Sequence, residues 1–275
     1  MMLNSPHTST HTYYLFDGAL LLGTPQLPWL LEQPGRHRLY EDLGEQAANV
    51  GPWLPPATAP LHEFTRGLLS SALDQRFACS GLVCQAPLPE LLEHLRALRY
   101  LEARNGQRYY FRYADGRAFS DVWQALTPGQ QDATLGPIEA WHHSDRSGLR
   151  SVRAQPRPTA EASLPLQLHP RQWHELIESG RIGELFDAAC RADQSLPPQG
   201  QARQRYTWTQ QTYAWLHRLK VDALSVQVAA ILVIWRTAGL LLKEEQFEAA
   251  LRRAQRTGDI SHVLAFASLG TGRPV

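Results

Sequence analysis

The pattern of apolar and polar residues divides this chain into two halves of different structural class. In the first half, short runs with a period of two, typical of half-buried strands, alternate with segments whose apolar residues recur at helical spacing. Residues 13–22 and 77–84 predict strands, and residues 87–101 predict the clearest helix of this half. Strands that alternate with helices favour a lobe of mixed α and β structure.

The second half predicts helices alone. A polar, proline-rich stretch at residues 154–165 is the predicted linker, and the segments after it carry apolar residues at helical spacing, above all the mostly apolar run 221–242. The sequence therefore predicts an α+β protein. It has a mixed α/β lobe with a short-stranded sheet at residues 13–153, the linker, and an all-helical lobe at residues 166–269.

The strand predicted at residues 108–113 ends in a group of charged residues. Tyr109, Phe111 and Tyr113 occupy every second position, which predicts that one face is buried, and Asp115 begins the turn that follows. Arg112, Asp115 and Arg117 then lie close together in sequence. Asp17 interrupts the first apolar strand, where a buried carboxylate needs a partner, so it is a second candidate for pairing with Arg112.

These four residues admit two interpretations. As an active site, Arg112, Asp115 and Asp17 would act on a phosphorylated substrate. As a structural clasp, all four would hold segments of the lobe together through ion pairs. An active site normally adds a nucleophile or a poised base. The sequence places none nearby, so we favour the clasp.

Charge and composition say little about the fold, but they exclude several classes of protein. A formal net charge of +1 gives no overall field that would select nucleic acid or an anionic membrane. Three cysteines are too few for a disulfide framework, and the first residues lack the apolar core of a signal peptide. No apolar run approaches the roughly 20 residues of a membrane span. We expect a cytoplasmic protein with no membrane insertion and no nucleic-acid partner.

Signs of catalytic or metal chemistry are few. The sequence contains neither the phosphate-binding loop GxxxxGK[ST] nor the nucleophile elbow GxSxG. His142 and His143 are adjacent on a predicted strand, where neighbouring side chains point to opposite faces, which disfavours a shared metal ion. We therefore expect no metal, no cofactor and no catalytic residue.

The basic run from Arg146 to Arg157 leaves open a nucleic-acid-binding protein whose arginines contact phosphates.

Four sequence motifs follow one another along the first half of the chain. They are YYLFDGA at residues 13–19, LYEDLGEQAANVGPWL at 39–54, the segment from LPELLEHLR to YADGRAF at 88–119, and LGPIEAW at 135–141. The set resembles the domain of type VI secretion effector chaperones, also called adaptor proteins. The resemblance covers about residues 13–141.

The resemblance extends to single positions. Residues 17–19 correspond to the D-G-A of that family, and residues 111–115 correspond to its F-R-x-x-D. Gly116 stands where the family usually has a proline. The family pairs a mixed α/β lobe with a helical lobe, which agrees with the two halves that the hydrophobic pattern predicts.

The resemblance implies a non-enzymatic protein of bacterial toxin delivery. Such a chaperone binds the N-terminal segment of a toxic effector and promotes its loading onto the spike of the secretion apparatus, with the spike as a transient partner. We expect the effector to lie across a groove between the two lobes. Aromatic side chains often carry much of the binding energy of an interface, so Trp173, Trp208 and Trp215 of the predicted helical lobe are the first candidates for its anchors.

Overall fold

The structure is a computed structural model of the 275-residue chain, and it describes residues 10–56, 61–70, 74–154, 163–192 and 200–272. These residues form two compact units. The first comprises the described residues up to Asp145 together with Leu149–Leu176. The second comprises Arg146–Gly148 together with the described residues from Ile177 onward.

The strands of the described residues are short. They are β1 His11–Asp17, β2 His37–Arg38, β3 Pro52–Leu54, β4 Cys79–Cys84, β5 Tyr100–Ala103, β6 Arg108–Tyr110, β7 Ile138–Asp145, β8 Gly148–Arg153 and β9 Leu166–Leu168.

The helices lie between these strands and dominate the C-terminal part. They are α1 Gly18–Leu21, α2 Gln26–Glu32, α3 Glu45–Val50, α4 Leu61–Leu69, α5 Leu88–Ala97, α6 Gly116–Ala125, α7 Pro128–Leu135, α8 Pro170–Ala192, α9 Ala202–Leu219, α10 Leu224–Arg236, α11 Glu245–Thr257 and α12 Ser261–Leu264. Within the described ranges, 3-10 helices cover Glu41–Leu43, Asp74–Phe77 and Ala265–Gly272.

The larger sheet of the first unit is antiparallel and has the strand order β2-β3-β1-β4-β7-β8. Near its centre, β1 pairs with β3 and β4, which places Phe16 opposite Trp53 and Tyr13 opposite Leu82. Successive side chains of β1 enter different cores because a strand presents alternate residues to its two faces. Tyr13 and Leu15 join the main core of the unit, whereas Phe16 joins a smaller apolar cluster.

The smaller sheet has the order β6-β5-β9 and also belongs to the first unit. β5 pairs with β6 in the antiparallel sense and with β9 in the parallel sense. Leu101 of β5 and Leu166 and Leu168 of β9 are buried in the main core. Among the described residues, no strand pairs with the outer edge of β6.

The second unit is helical. Its central helix α10 is almost entirely apolar, and eight of its 13 residues are buried. One apolar cluster gathers α9, α10 and α11 around Leu216 and Phe247, and another packs Phe186 of α8 against Trp235 of α10. In the part of the chain that the structure describes, no helix is both long enough and apolar enough to span a bilayer.

An antiparallel sheet in the first unit and a helical second unit confirm the predicted α+β class.

The length and the buried face of the strand predicted at residues 108–113 are wrong, however. β6 ends at Tyr110 and all three of its residues are exposed. Phe111 and Tyr113 are buried after the strand has ended, because a backbone turn from Arg112 to Asp115 carries the chain into α6.

The start of the helical lobe also differs from the prediction. Residues 166–168 were expected to open that lobe, but they form β9 and pair with β5. Leu166 and Leu168 alternate with the exposed Gln167, so this short segment buries two leucines best as a strand. Residues 155–162, most of the predicted linker, lie outside the described residues.

Candidate functional site

Asp17 stands where β1 ends and α1 begins. Its carboxylate accepts a hydrogen bond of 3.0 Å from the backbone N–H of Leu20 and so caps the helix. Gly18 follows it in a position without room for a side chain, since a Cβ there would lie 2.7 Å from the carbonyl oxygen of Asn49. The Asp-Gly pair thus makes an abrupt strand-to-helix turn against neighbouring backbone.

Asp115 and Gly116 repeat this arrangement at the start of α6. The Asp115 carboxylate caps the helix by accepting a 3.0 Å bond from the backbone N–H of Arg117. A Cβ on Gly116 would overlap the carbonyl oxygen of Ser144 in β7. Because α6 begins this close to β7, the residue after the aspartate has to be small here.

Two arginines bind the carboxylates of these junctions, and we call Asp17, Arg112, Asp115 and Arg117 the ion cluster. Nη2 of Arg112 donates to Asp17 at 3.0 Å and lies 3.5 Å from a carboxylate oxygen of Asp115. Arg117 donates to Asp115 through Nε and Nη2, both at 3.1 Å. The structure therefore brings together all four residues that the sequence singled out.

Burial is unequal within the ion cluster. The side chains of Asp17 and Asp115 are 5% and 4% exposed, whereas that of Arg112 is 48% exposed. Burial raises the pKa of the Asp17 carboxyl, and the nearby Arg112 and the Leu20 N–H oppose that rise. Both carboxylates accept hydrogen bonds from the donors that surround them. This arrangement suits a role in joining chain segments, and the predicted clasp stays the interpretation that we favour.

Sequence reasoning missed a second ion pair, between Arg99 and Asp42. Nη1 and Nη2 of Arg99 each donate to Asp42 at 2.7 Å, and Nη2 also donates to the carbonyl of Leu39 at 3.0 Å. The guanidinium carbon of Arg99 lies 4.9 Å from the ring centre of Tyr40 and 6.0 Å from that of Tyr100. This pair fixes an aromatic group on the first unit.

The aromatic group surrounds β6, and we call Tyr40, Tyr100, Tyr109, Tyr110 and Trp173 the aromatic edge. On one side of the strand, Tyr110 lies 5.1 Å from Tyr100 and 6.2 Å from Tyr40 between ring centres. On the other side, Tyr109 lies 4.7 Å from Trp173. Tyr110 is 59% exposed and Tyr109 is 42% exposed, so both present large apolar surface to solvent. Two adjacent exposed tyrosines on a strand are the sequence signal that could have revealed this surface.

The three predicted tryptophan anchors have different environments. Trp173 belongs to the first unit, where its ring lies tilted against that of Tyr109, and not to the helical unit. Trp208 is half-buried against the apolar clusters of the second unit. Trp215 is buried, with 3% exposure, so its assignment as an interface anchor is wrong. It fills the helical core because α9 presents it to Phe247 of α11.

The residues considered for other chemistries also have defined positions. His142 and His143 lie on β7; His143 is buried, and burial lowers its pKa to about 4. Among the described residues, no group of three or more His, Cys, Asp or Glu side chains is placed to hold a metal ion.

In the basic run, Arg146 donates to Asp187 at 3.1 Å and Arg150 lies 3.4 Å from Asp145. Arg157 falls outside the described residues.

The fold and these two sites define an α+β protein with an ion-paired scaffold and an exposed aromatic edge. Residues 12–133 match the model of a family described as a domain of unknown function (DUF4123). This match covers less than half of the chain, includes the whole ion cluster and β6, and leaves out Trp173 and the helical unit. No curated protein and no solved structure matches the chain.

Proposed function

We propose that this chain is an effector-specific chaperone, or adaptor, of the type VI secretion system. It binds the N-terminal region of a toxic effector in the cytoplasm and promotes loading of that effector onto the secretion spike, which it contacts transiently. In this proposal the protein is not an enzyme. It keeps an aggregation-prone segment of its client covered until the client is handed over.

The observation that supports this proposal best is the exposed aromatic edge, whose four tyrosines lie within the family-matched residues. Large apolar side chains that remain exposed on a folded surface mark interaction sites. Tyrosine, tryptophan and arginine are also the residues most enriched among the strongest contributors to binding energy. The edge presents Tyr109 and Tyr110, and Arg99 holds the rings behind Tyr110 in place.

The order of the sequence motifs supports the same proposal. The residues that recur in the resemblance, at 17–19 and 111–115, form the two ends of one ion-paired contact. We interpret both motifs as structural, because each aspartate caps a helix. The proposal therefore assigns different tasks to the two sites: the ion cluster maintains the fold, and the aromatic edge contacts the client.

Deletion of the gene tests the proposal in the cell. We expect that a strain without this chain no longer secretes one type VI toxin, its client, while secretion of the spike itself continues. Complementation with the wild-type chain restores export. Continued secretion of that toxin in the deletion strain would rule out the chaperone function.

A further inference from the structure

In the part of the chain that the structure describes, the backbone of β6 pairs on one side only, with β5. The chain flanking the strand makes two hydrogen bonds to the β5 side: Ala103 N–H donates to the Gln107 carbonyl at 2.8 Å, and Phe111 N–H donates to the Arg99 carbonyl at 2.9 Å. Between these bonds, Tyr109 lies opposite Leu101. In an antiparallel ladder, hydrogen-bonded pairs occur at every second residue. Residues 107, 109 and 111 therefore bond inward.

Arg108 and Tyr110 consequently turn their backbone N–H and C=O groups away from β5. β6 is the last strand of its sheet, and no described residue is hydrogen-bonded to these outward groups. They form an exposed strand edge, which is a template for pairing with another extended chain. A second extended backbone can form hydrogen bonds with these alternating N–H and C=O groups, because its own groups have the same spacing.

The side chains beside this edge offer apolar contacts on both faces of an added strand. Tyr110 stands on one face with Tyr100 and Tyr40 behind it, and Tyr109 stands on the other with Trp173. Since side chains of a strand alternate between faces, an added strand with large apolar residues at alternate positions would meet a ring on either side.

The charge at this end of the sheet is positive. Arg104 lies exposed in the turn between β5 and β6, and among the described residues it makes no ion pair. Arg108 beside it is matched by Glu102 at 3.2 Å. An incoming segment with a carboxylate near the turn would therefore complement an unmatched arginine.

We propose that the edge of β6 binds an extended segment of the client as an additional β-strand. The segment carries large apolar residues at alternate positions and at least one carboxylate that pairs with Arg104. Its backbone exchanges hydrogen bonds with Arg108 and Tyr110. This assignment rests on the proposed chaperone function for the identity of the client, whereas the edge itself is a property of the chain.

Peptide selection tests the edge without knowledge of the client. The full-length chain is used to select from a phage-displayed library of random linear 12-residue peptides, and the most enriched peptide is synthesised. We expect alternating apolar residues and a carboxylate in the selected sequences. Failure to enrich any peptide whose binding depends on Tyr110 overturns the proposal.

Two substitutions at one position separate backbone pairing from side-chain contact. Tyr110→Pro removes an outward N–H and leaves the inward bonds of Tyr109 and Phe111, and proline is tolerated at strand edges. We expect Tyr110→Pro to weaken binding of the selected peptide by at least about tenfold, because it removes both a backbone hydrogen bond and the aromatic ring. Tyr110→Ala keeps the N–H, so we expect a smaller loss of roughly three- to tenfold.

A matched control removes an exposed apolar side chain elsewhere in the same unit. Leu149 of β8 is 71% exposed, and Leu149→Ala should leave the peptide affinity within about twofold. If Tyr110→Pro and Tyr110→Ala lowered the peptide affinity equally, strand pairing would be contradicted, and the peptide would contact the Tyr110 side chain alone. Concentration-dependent dimers that Tyr110→Pro abolishes would show that the edge serves a second copy of the chain.

Hydrogen exchange on the unmodified chain gives a readout that needs no variant. Binding of the selected peptide should slow exchange at the amides of Arg108 and Tyr110, and unchanged exchange there would contradict the proposal. An export assay with the client toxin separates the two claims. If the toxin needs this chain for export but Tyr110→Pro has no effect, the edge assignment fails and the chaperone function stands. If peptides bind the edge and export is independent of the chain, the function fails and the edge stands.

Discussion

Arg99 and Arg112 both pair with aspartate in the first unit, but the burial of the partners is reversed. The Arg99 side chain is 7% exposed and its partner Asp42 is 56% exposed. Arg112 is half-exposed and its partners Asp17 and Asp115 are buried. One pair therefore hides a cation beneath the aromatic edge, and the other hides carboxylates at two helix starts.

The comparison shows that the cost of breaking a pair depends on which member is left behind. A buried charge without its partner is strongly destabilising, whereas an exposed charge without its partner is hydrated by water. Removal of the exposed Asp42 leaves the buried Arg99 uncompensated. Removal of Arg112 leaves the buried Asp17 with its helix-capping bond from Leu20.

The largest effect is expected for Asp42→Ala. Although Asp42 lies at the surface, its loss removes both strong acceptors of the buried Arg99 guanidinium, so we expect a decrease of about 2–4 kcal/mol in the free energy of unfolding. Urea denaturation measures it. Glu45→Ala is the control, because Glu45 is exposed and pairs with the more exposed Arg38, so its loss should change stability far less than the loss of Asp42. Equal effects of the two substitutions would contradict the distinction.

Arg112→Ala is expected to cost less, about 1–2 kcal/mol, because Arg112 is half-exposed and water reaches the site that it leaves. A fully buried pair would cost about 3–5 kcal/mol. Thermal melting and urea denaturation of the purified variant measure the loss. An unchanged melting temperature would refute the clasp and favour a catalytic or binding role for Arg112.

The pH dependence of stability should have opposite signs for the two aspartates. Burial raises the folded-state pKa of Asp17, so its contribution to stability is present below its usual pKa and is lost as pH rises through the raised value. The hydrogen bond from Arg99 lowers the pKa of Asp42, so its contribution is present above the usual pKa and is lost as pH falls through the lowered value.

Urea titrations between about pH 3 and pH 7 measure these contributions as differences between the wild type and each asparagine variant. The stability lost in Asp42→Asn should grow as pH rises, and that lost in Asp17→Asn should shrink. The same slope for both variants would show that burial does not distinguish the two carboxylates.

The sequence predicted the ion cluster because its members carry a visible conflict. An aspartate within an apolar strand and an arginine among aromatic residues each need a partner, and the structure pairs Asp17 with Arg112. Arg99 gave no such signal, since it lies between a helix and a strand where an exposed arginine is common. Its burial follows from contact with Leu39 and Asp42, nearly 60 residues away, which local patterns do not contain.

Period-two alternation misjudged the segment from Tyr109 to Tyr113 for a related reason. The pattern assumes one continuous strand, but the chain leaves the sheet after Tyr110, and the buried aromatics Phe111 and Tyr113 follow the turn. β9 was missed because three residues are too few to establish a period. The helical half was predicted as a class, while the burial of Trp215 depends on how α9 meets α11.

Co-elution of the chain with its client tests the central claim most directly. The chain and the N-terminal segment of the toxin whose export is lost in the deletion strain are coexpressed and passed over a size-exclusion column. We expect a one-to-one complex with the wild type and with Leu149→Ala, and separate peaks with Tyr110→Pro, whose melting temperature stays close to that of the wild type. Separate elution of the wild-type chain and the toxin segment would contradict the account.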